Sequence, residues 1–238
     1  MTDIRELILY RNFENGKVLE DMTWIMEHFN QKECTEEVRD RFFSCMHELI
    51  ELAAQYGFEQ NLWQTYLTFL LVNNENSFST ACEIRGISDC SLLNLARHDF
   101  AIFRELFAYD FTDLERTLQA GFFEELLRYR REETSGKLFN HRIRDRICSL
   151  SKELAAADTL EGFTESMVEF YREFGVGTLG LHKAFRVAHD ESGVRIEPIT
   201  NIRHVNLEDL VGYKIAKQKL IDNTEAFVQG RRANNCLL

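Results

Sequence analysis

A single proline, Pro198, in a chain of 238 residues is the feature that most restricts the fold. Proline removes a backbone donor and clashes with the preceding helical turn, so its near-absence leaves the backbone free to run in long helices. Nineteen phenylalanines supply large apolar side chains for packing such helices into a core. Helical periodicity fills most of residues 1–173. Ile4, Leu7 and Ile8 share one face of a short first helix. After a turn at Asn15-Gly16, Val18, Met22, Ile25, Met26 and Phe29 recur at helical spacing. The clearest amphipathic helix is 36–56, with a stripe of Val38, Phe42, Cys45, Met46, Leu49, Ile50 and Ala53 closed by Gly57. Residues 62–72 are apolar nearly all round, which predicts a central helix. Further helices are expected at 78–85, 92–108, 113–130, 138–156 and 160–174. Thr112 before Asp113-Leu114-Glu115 has the capping-box arrangement, and Thr35 before Val38 has it less perfectly.

At Phe174 the pattern changes. Gly175, Gly177 and Gly180 loosen the chain. Residues 184–188 and 194–199 then alternate like strands about the turn-forming His189-Asp190-Glu191-Ser192-Gly193, which predicts a β-hairpin. A connector at 200–205 leads to a helix at 213–229, expected to bury Tyr213, Ala216, Leu220, Thr224 and Phe227, with Gly230 as its C-terminal cap glycine. Asn234-Asn235-Cys236-Leu237-Leu238 reads as the opening of a buried strand. The fold class is therefore mainly α. A helical region spans 1–173, a glycine-rich connector and hairpin span 174–205, and a distinct segment spans 206–238.

Charge separates these regions as well. The chain carries a net charge of −11, but residues 1–180 hold 19 Lys+Arg against 32 Asp+Glu, whereas 181–238 hold 9 against 7. The acidic first part argues against broad binding to nucleic acid or anionic lipid. A protein partner or self-association fits it better. Six scattered cysteines with no C-x-x-C pair read as free thiols. The N-terminus has no apolar signal core, and the longest apolar stretch, near 67–72, is too short to span a bilayer. A cytoplasmic location is expected, with no membrane contact.

Three motifs invite chemistry. Gly175-Val176-Gly177-Thr178-Leu179-Gly180 spells G-x-G-x-x-G, but a dinucleotide site needs a strand before it and a helix after it, and the order here is the reverse. The triplet reads as a flexible connector. Cys34, Cys45 and His47 lack zinc-ligand spacing, so no metal site is expected. No nucleophile–base arrangement and no G-x-S-x-G occurs, so no catalytic residue is assigned. A basic cluster of Arg128, Arg130, Arg131, Lys137, Arg142, Arg144 and Arg146 has two readings. One is a solvated helix end and loop; the other is a contact to phosphate or to an acidic partner surface.

The C-terminal segment resembles a known family. Ala184-Phe185-Arg186 in the hairpin, Leu207, Asp209-Leu210-Val211-Gly212-Tyr213, Lys219-Leu220, Asn223-Thr224-Glu225-Ala226-Phe227, Gly230, Ala233-Asn234-Asn235 and Leu237-Leu238 look like an uncharacterised bacterial family of AAA-type P-loop ATPases. The resemblance covers about 174–238, roughly a quarter of the chain. It implies that 206–238 begin an AAA-type α/β nucleotide domain, giving its first helix and strand, and that the chain is an N-terminal portion ending just before the Walker A loop. It also implies that Leu210, Val211, Gly212 and Tyr213 lie against the adenine of ATP, where glycine permits close backbone approach and Tyr213 offers a ring. ATP and Mg²⁺ are the cofactors implied for the parent family. Phosphoryl transfer depends on the positioning and charge-stabilising parts carried by the Walker A and Walker B motifs. No G-x-x-x-x-G-K-[ST] occurs in these residues, so neither tight ATP binding nor hydrolysis is expected of them. The alternative expectation is a self-contained helical protein-interaction module with no nucleotide role.

Overall fold

A computed structural model describes residues 3–29, 35–87, 90–119, 121, 123–130, 141–177, 185–190, 193–198 and 211–235. Its helices are α1 (Lys17–His28), α2 (Glu36–Tyr56), α3 (Leu62–Asn73), α4 (Ser77–Arg85), α5 (Ser91–Phe107), α6 (Thr112–Leu118), α7 (Phe123–Leu127), α8 (His141–Ala156), α9 (Leu160–Phe174) and α10 (Lys214–Val228). Strands β1 (Phe185–Asp190) and β2 (Gly193–Pro198) lie between α9 and α10. The protein is mainly α, and it divides into two compact units, Met1–Asn201 and Ile202–Leu238.

In the first unit α3 is the central rod. Its buried residues run from Leu62 through Val72 on every side, and it packs on α2, α5, α7 and α8. A helix apolar all round has no solvent face to offer, so it must be enclosed. Its polar tips are satisfied at a distance. The Trp63 indole donates to the Leu106 carbonyl at 2.8 Å, while the Tyr66 hydroxyl donates to Asn15 O and accepts from the Leu19 amide. Phe100 joins Tyr10, Phe78 and Phe163 at centroid separations of 5.4–5.7 Å, in tilted and edge-to-face pairs, so these four rings form one aromatic cluster in the core.

Local signals set α2 at both ends. The Thr35 hydroxyl accepts from the Val38 amide, and Gly57 closes the helix in the left-handed conformation with φ +74°. Elsewhere the expectations need correction. The predicted helix at 113–130 is two short ones, because Gln119 turns left-handed at φ +52° and ends α6. The Thr112 capping box does not form: Phe111 is the N-cap, and Asp110 accepts from both the Thr112 amide and its hydroxyl. The first helix is only a 3-10 turn at Ile4–Glu6. The segment after it is fixed by Asp99 of α5, which accepts the backbone amides of Ile8, Leu9 and Tyr10.

The glycine triplet is also tighter than a flexible connector in its described half. Gly175 caps α9, Val176 is buried with its amide donating to Glu83, and a Cβ on Gly177 would overlap the Glu75 carboxylate. Gly180 lies outside the described residues. β1 and β2 pair antiparallel with Val187 opposite Ile196 and His189 opposite Val194. Side chains alternate along a strand, so Val187, Val194 and Ile196 share one face, and all three are exposed.

The second unit is described over 211–235. Contrary to expectation, α10 buries no residue: Tyr213 before it and Phe227 within it are both exposed. Its order comes from local devices. At the C-terminus Arg231 N–H donates to Ala226 O and Gly230 N–H to Phe227 O, a Schellman closure with Gly230 at φ +68°. The chain then folds back, and the Asn223 side-chain amide clamps Asn234 by donating to its carbonyl and accepting from its amide, both at 2.8 Å. Residues 233–235 carry no strand, and 236–238 of the expected strand lie outside the described residues.

Candidate functional site

The residues assigned to nucleotide contact form the turn that starts α10. Val211 is 93% exposed, Gly212 sits at φ +88°, and Tyr213 is the N-cap at φ +53° and ψ +30° with its side chain 82% exposed. Leu210 lies outside the described residues. Two consecutive left-handed residues make the chain reverse sharply into the helix. For Gly212 this conformation carries no Cβ penalty, whereas a tyrosine pays for it. The helix then begins with Lys217 N–H bonded to the Tyr213 carbonyl, without a side-chain cap. The result is a projecting aromatic ring beside a stretch of backbone that has no side chain at Gly212. Among the described residues nothing stands within 4 Å of a Cβ position there, so against these the glycine serves conformation and not a close contact.

Such a turn can stack a planar heterocycle on Tyr213 and offer backbone groups at Gly212 to its edge. The turn itself brings no carboxylate.

The remaining sequence candidates separate in space. Cys45 is enclosed in the core, its thiol directed at the Val18 carbonyl, and burial pushes its pKa up to about 12. His47, two residues on, is exposed. Cys34 lies outside the described residues, and among those described no group of three His, Cys, Asp or Glu residues has the arrangement to hold a metal ion.

The basic cluster is divided. Arg128 pairs with Glu124, and Arg144 pairs with Asp145 at 2.7 Å and Glu59 at 3.7 Å. Arg142 and Arg146 line a groove between α8 and α9. Arg130 takes no part in that groove's lining, and Arg131 and Lys137 lie outside the described residues. Two functional-looking devices were not anticipated from the sequence, the Asp99 carboxylate and the Asn223 clamp. Only Asp99 carries a visible signal, as a lone carboxylate on the apolar stripe of Ala96, Phe100 and Phe103.

No helix among the described residues is long and apolar enough to cross a membrane. Comparison with curated proteins and with solved structures gave no match. The model of one family, described as Protein of unknown function (DUF815), matches residues 180–238, so the hairpin, the 211–213 turn and α10 are similar to that family.

Proposed function

We propose that residues 206–238 form the leading edge of an AAA-type nucleotide module, carried behind a helical region, and that the Val211-Gly212-Tyr213 turn receives adenine. The observation that carries this reading is the turn itself. Its tyrosine ring projects into solvent at the start of a 15-residue helix, beside a glycine held left-handed. The reading agrees with the AAA resemblance of 174–238, and the stretch that matches the family model coincides with it. Leu210 completes the adenine contact on this reading, and ATP with Mg²⁺ is the nucleotide of the whole module.

Stacking on one aromatic ring contributes about 1–3 kcal/mol. Adenine contact without phosphate contacts is therefore weak, with Kd of about 1 mM or above, equivalent to about 4 kcal/mol. The test uses adenosine, which has the base and no phosphate. Amide shifts followed by NMR during an adenosine titration are expected to be confined to 211–213 and to saturate in the millimolar range. Tyr213→Ala is expected to abolish them. Absence of shifts at the turn, or shifts that persist in Tyr213→Ala, would overturn the assignment.

A further inference from the structure

The link at 157–159 turns α9 back along α8, so the start of α8 lies beside the end of α9. There the Arg146 guanidinium rests 3.9 Å from the centroid of the Phe174 ring. Between the two helices runs a groove of about 770 Å³. That volume falls in the range of small-molecule sites, roughly 300–1,000 Å³. Its floor is apolar, made by the buried Leu150 and Phe170. Arg142 and Arg146 stand at one end, four residues apart on α8 and so on the same face.

We propose that this groove binds a small phosphate monoester with an apolar body, the phosphate held between Arg142 and Arg146 and the body against Leu150 and Phe170. Paired guanidiniums present several donors to a tetrahedral dianion, and a planar guanidinium stacked on an aromatic ring is already oriented for this. Among the described residues no carboxylate forms an ion pair with Arg146. Burial, and then the neighbouring charge of Arg142, hold its pKa below the usual arginine value, so an anion placed between the two relieves the repulsion and offsets the cost of burial.

Four carboxylates, Asp145, Glu153, Glu169 and Glu173, also line the groove, and two of them, Asp145 and Glu169, are neutralised by arginines other than the pair. Asp145 pairs with Arg144 at 2.7 Å, Glu169 pairs with Arg172 at 3.3 Å, and Glu153 accepts the Ser149 hydroxyl at 3.2 Å. Glu173 is the carboxylate that acts on Arg146, and it contributes the smallest of the three influences on that guanidinium.

The test is isothermal titration of the full chain with phenyl phosphate at low ionic strength. Saturable binding is expected. Arg146→Gln and Arg142→Gln should each weaken it about tenfold or more, the loss of one charge-assisted contact. Arg128→Gln, outside the groove, should leave the affinity unchanged, and benzyl alcohol, which keeps the ring and lacks the phosphate, should not bind. Thermal melts establish that each variant is folded; should Arg146→Gln fail to fold, the exposed Arg142 carries the test. No binding of phenyl phosphate, equal affinity in the folded groove variants, or equal binding of benzyl alcohol would overturn the proposal. Because neither phenyl phosphate nor benzyl alcohol contains adenine, this outcome is independent of the reading given to the 211–213 turn.

Discussion

Replacing Asp99 with alanine is expected to destabilise the first unit by about 3–4 kcal/mol, because the molecule takes the cheaper of two routes and both start at about 3 kcal/mol. The carboxylate is fully buried and accepts four hydrogen bonds from three backbone amides: Ile8 at 2.9 and 3.2 Å, Leu9 at 2.7 Å and Tyr10 at 2.9 Å. If the 8–10 segment stays in place without its acceptor, three amides lose their partner, at about 1–3 kcal/mol each. If the segment detaches to rehydrate them, Leu7 and Tyr10 leave the core, and Tyr10 gives up its ring contacts with Phe100 and Phe103. Uncovering two such side chains costs about 3 kcal/mol or more. Neither route is cheap. For a unit of this size each kcal/mol lowers Tm by about 2–4 °C, so a fall of about 6–16 °C is expected. Asp99→Asn keeps the shape and one oxygen acceptor, and should cost clearly less. Thermal unfolding by circular dichroism measures the loss, and amide exchange at Ile8, Leu9 and Tyr10 distinguishes the routes. A loss below about 1 kcal/mol, or wild-type exchange protection at those amides in Asp99→Ala, would refute the argument that Asp99 anchors the N-terminal segment.

Two further substitutions probe the backbone devices. Gly177→Ala should cost about 1–3 kcal/mol in urea denaturation, chiefly because φ is +67°; the new Cβ also meets the Glu75 carboxylate, but that side chain is exposed and can swing aside at small cost. Adding Glu75→Ala should restore the steric part and leave the backbone part, and wild-type stability in the single variant would contradict this. Asn223→Ala removes both clamp bonds to Asn234, so exchange at the Asn234 amide should accelerate while the middle of α10 changes little. Unaltered exchange at Asn234 would show that the fold-back is held by something else.

The accuracy of the sequence reading tracks how local the determining interactions are. α2 was legible to the residue because its start and stop are both signalled within one turn, by the Thr35 hydroxyl and the left-handed Gly57. α3 was legible from composition alone, since no other placement accommodates an apolar cylinder. The 113–130 stretch reads as one helix because its apolar spacing runs past Gln119, and glutamine carries no left-handed signature of the kind that glycine or asparagine does. At Thr112 two local options competed, and the Asp110 carboxylate took the amide and hydroxyl that a capping box would have used. The Asn223–Asn234 clamp spans eleven residues with no periodicity, so nothing in the sequence pattern announces it. Among the site residues, Val211, Gly212 and Tyr213 were named through a resemblance and not through spacing. The structure adds the left-handed geometry of Gly212 and Tyr213 and the exposure of all three.

The energetics of that turn bound what it can do. A 15-residue helix is marginal in isolation, and α10 buries none of its residues, so its order rests on the glycine closure and the Asn223 clamp. Devices of that kind contribute about 1 kcal/mol each and hold a shape; they do not create a deep pocket. On the proposed reading the turn therefore supplies base recognition only. Moving from a millimolar to a micromolar nucleotide site takes about 4 kcal/mol more, and that increment has to come from groups that hold phosphate. Backbone amides of a phosphate loop are the usual source, and these residues contain no such loop. The arginine pair of the α8–α9 groove is assigned to a different ligand, one without a base. Adenosine and phenyl phosphate should accordingly perturb separate sets of residues in the same chain, with Tyr213→Ala affecting only the first and Arg146→Gln only the second.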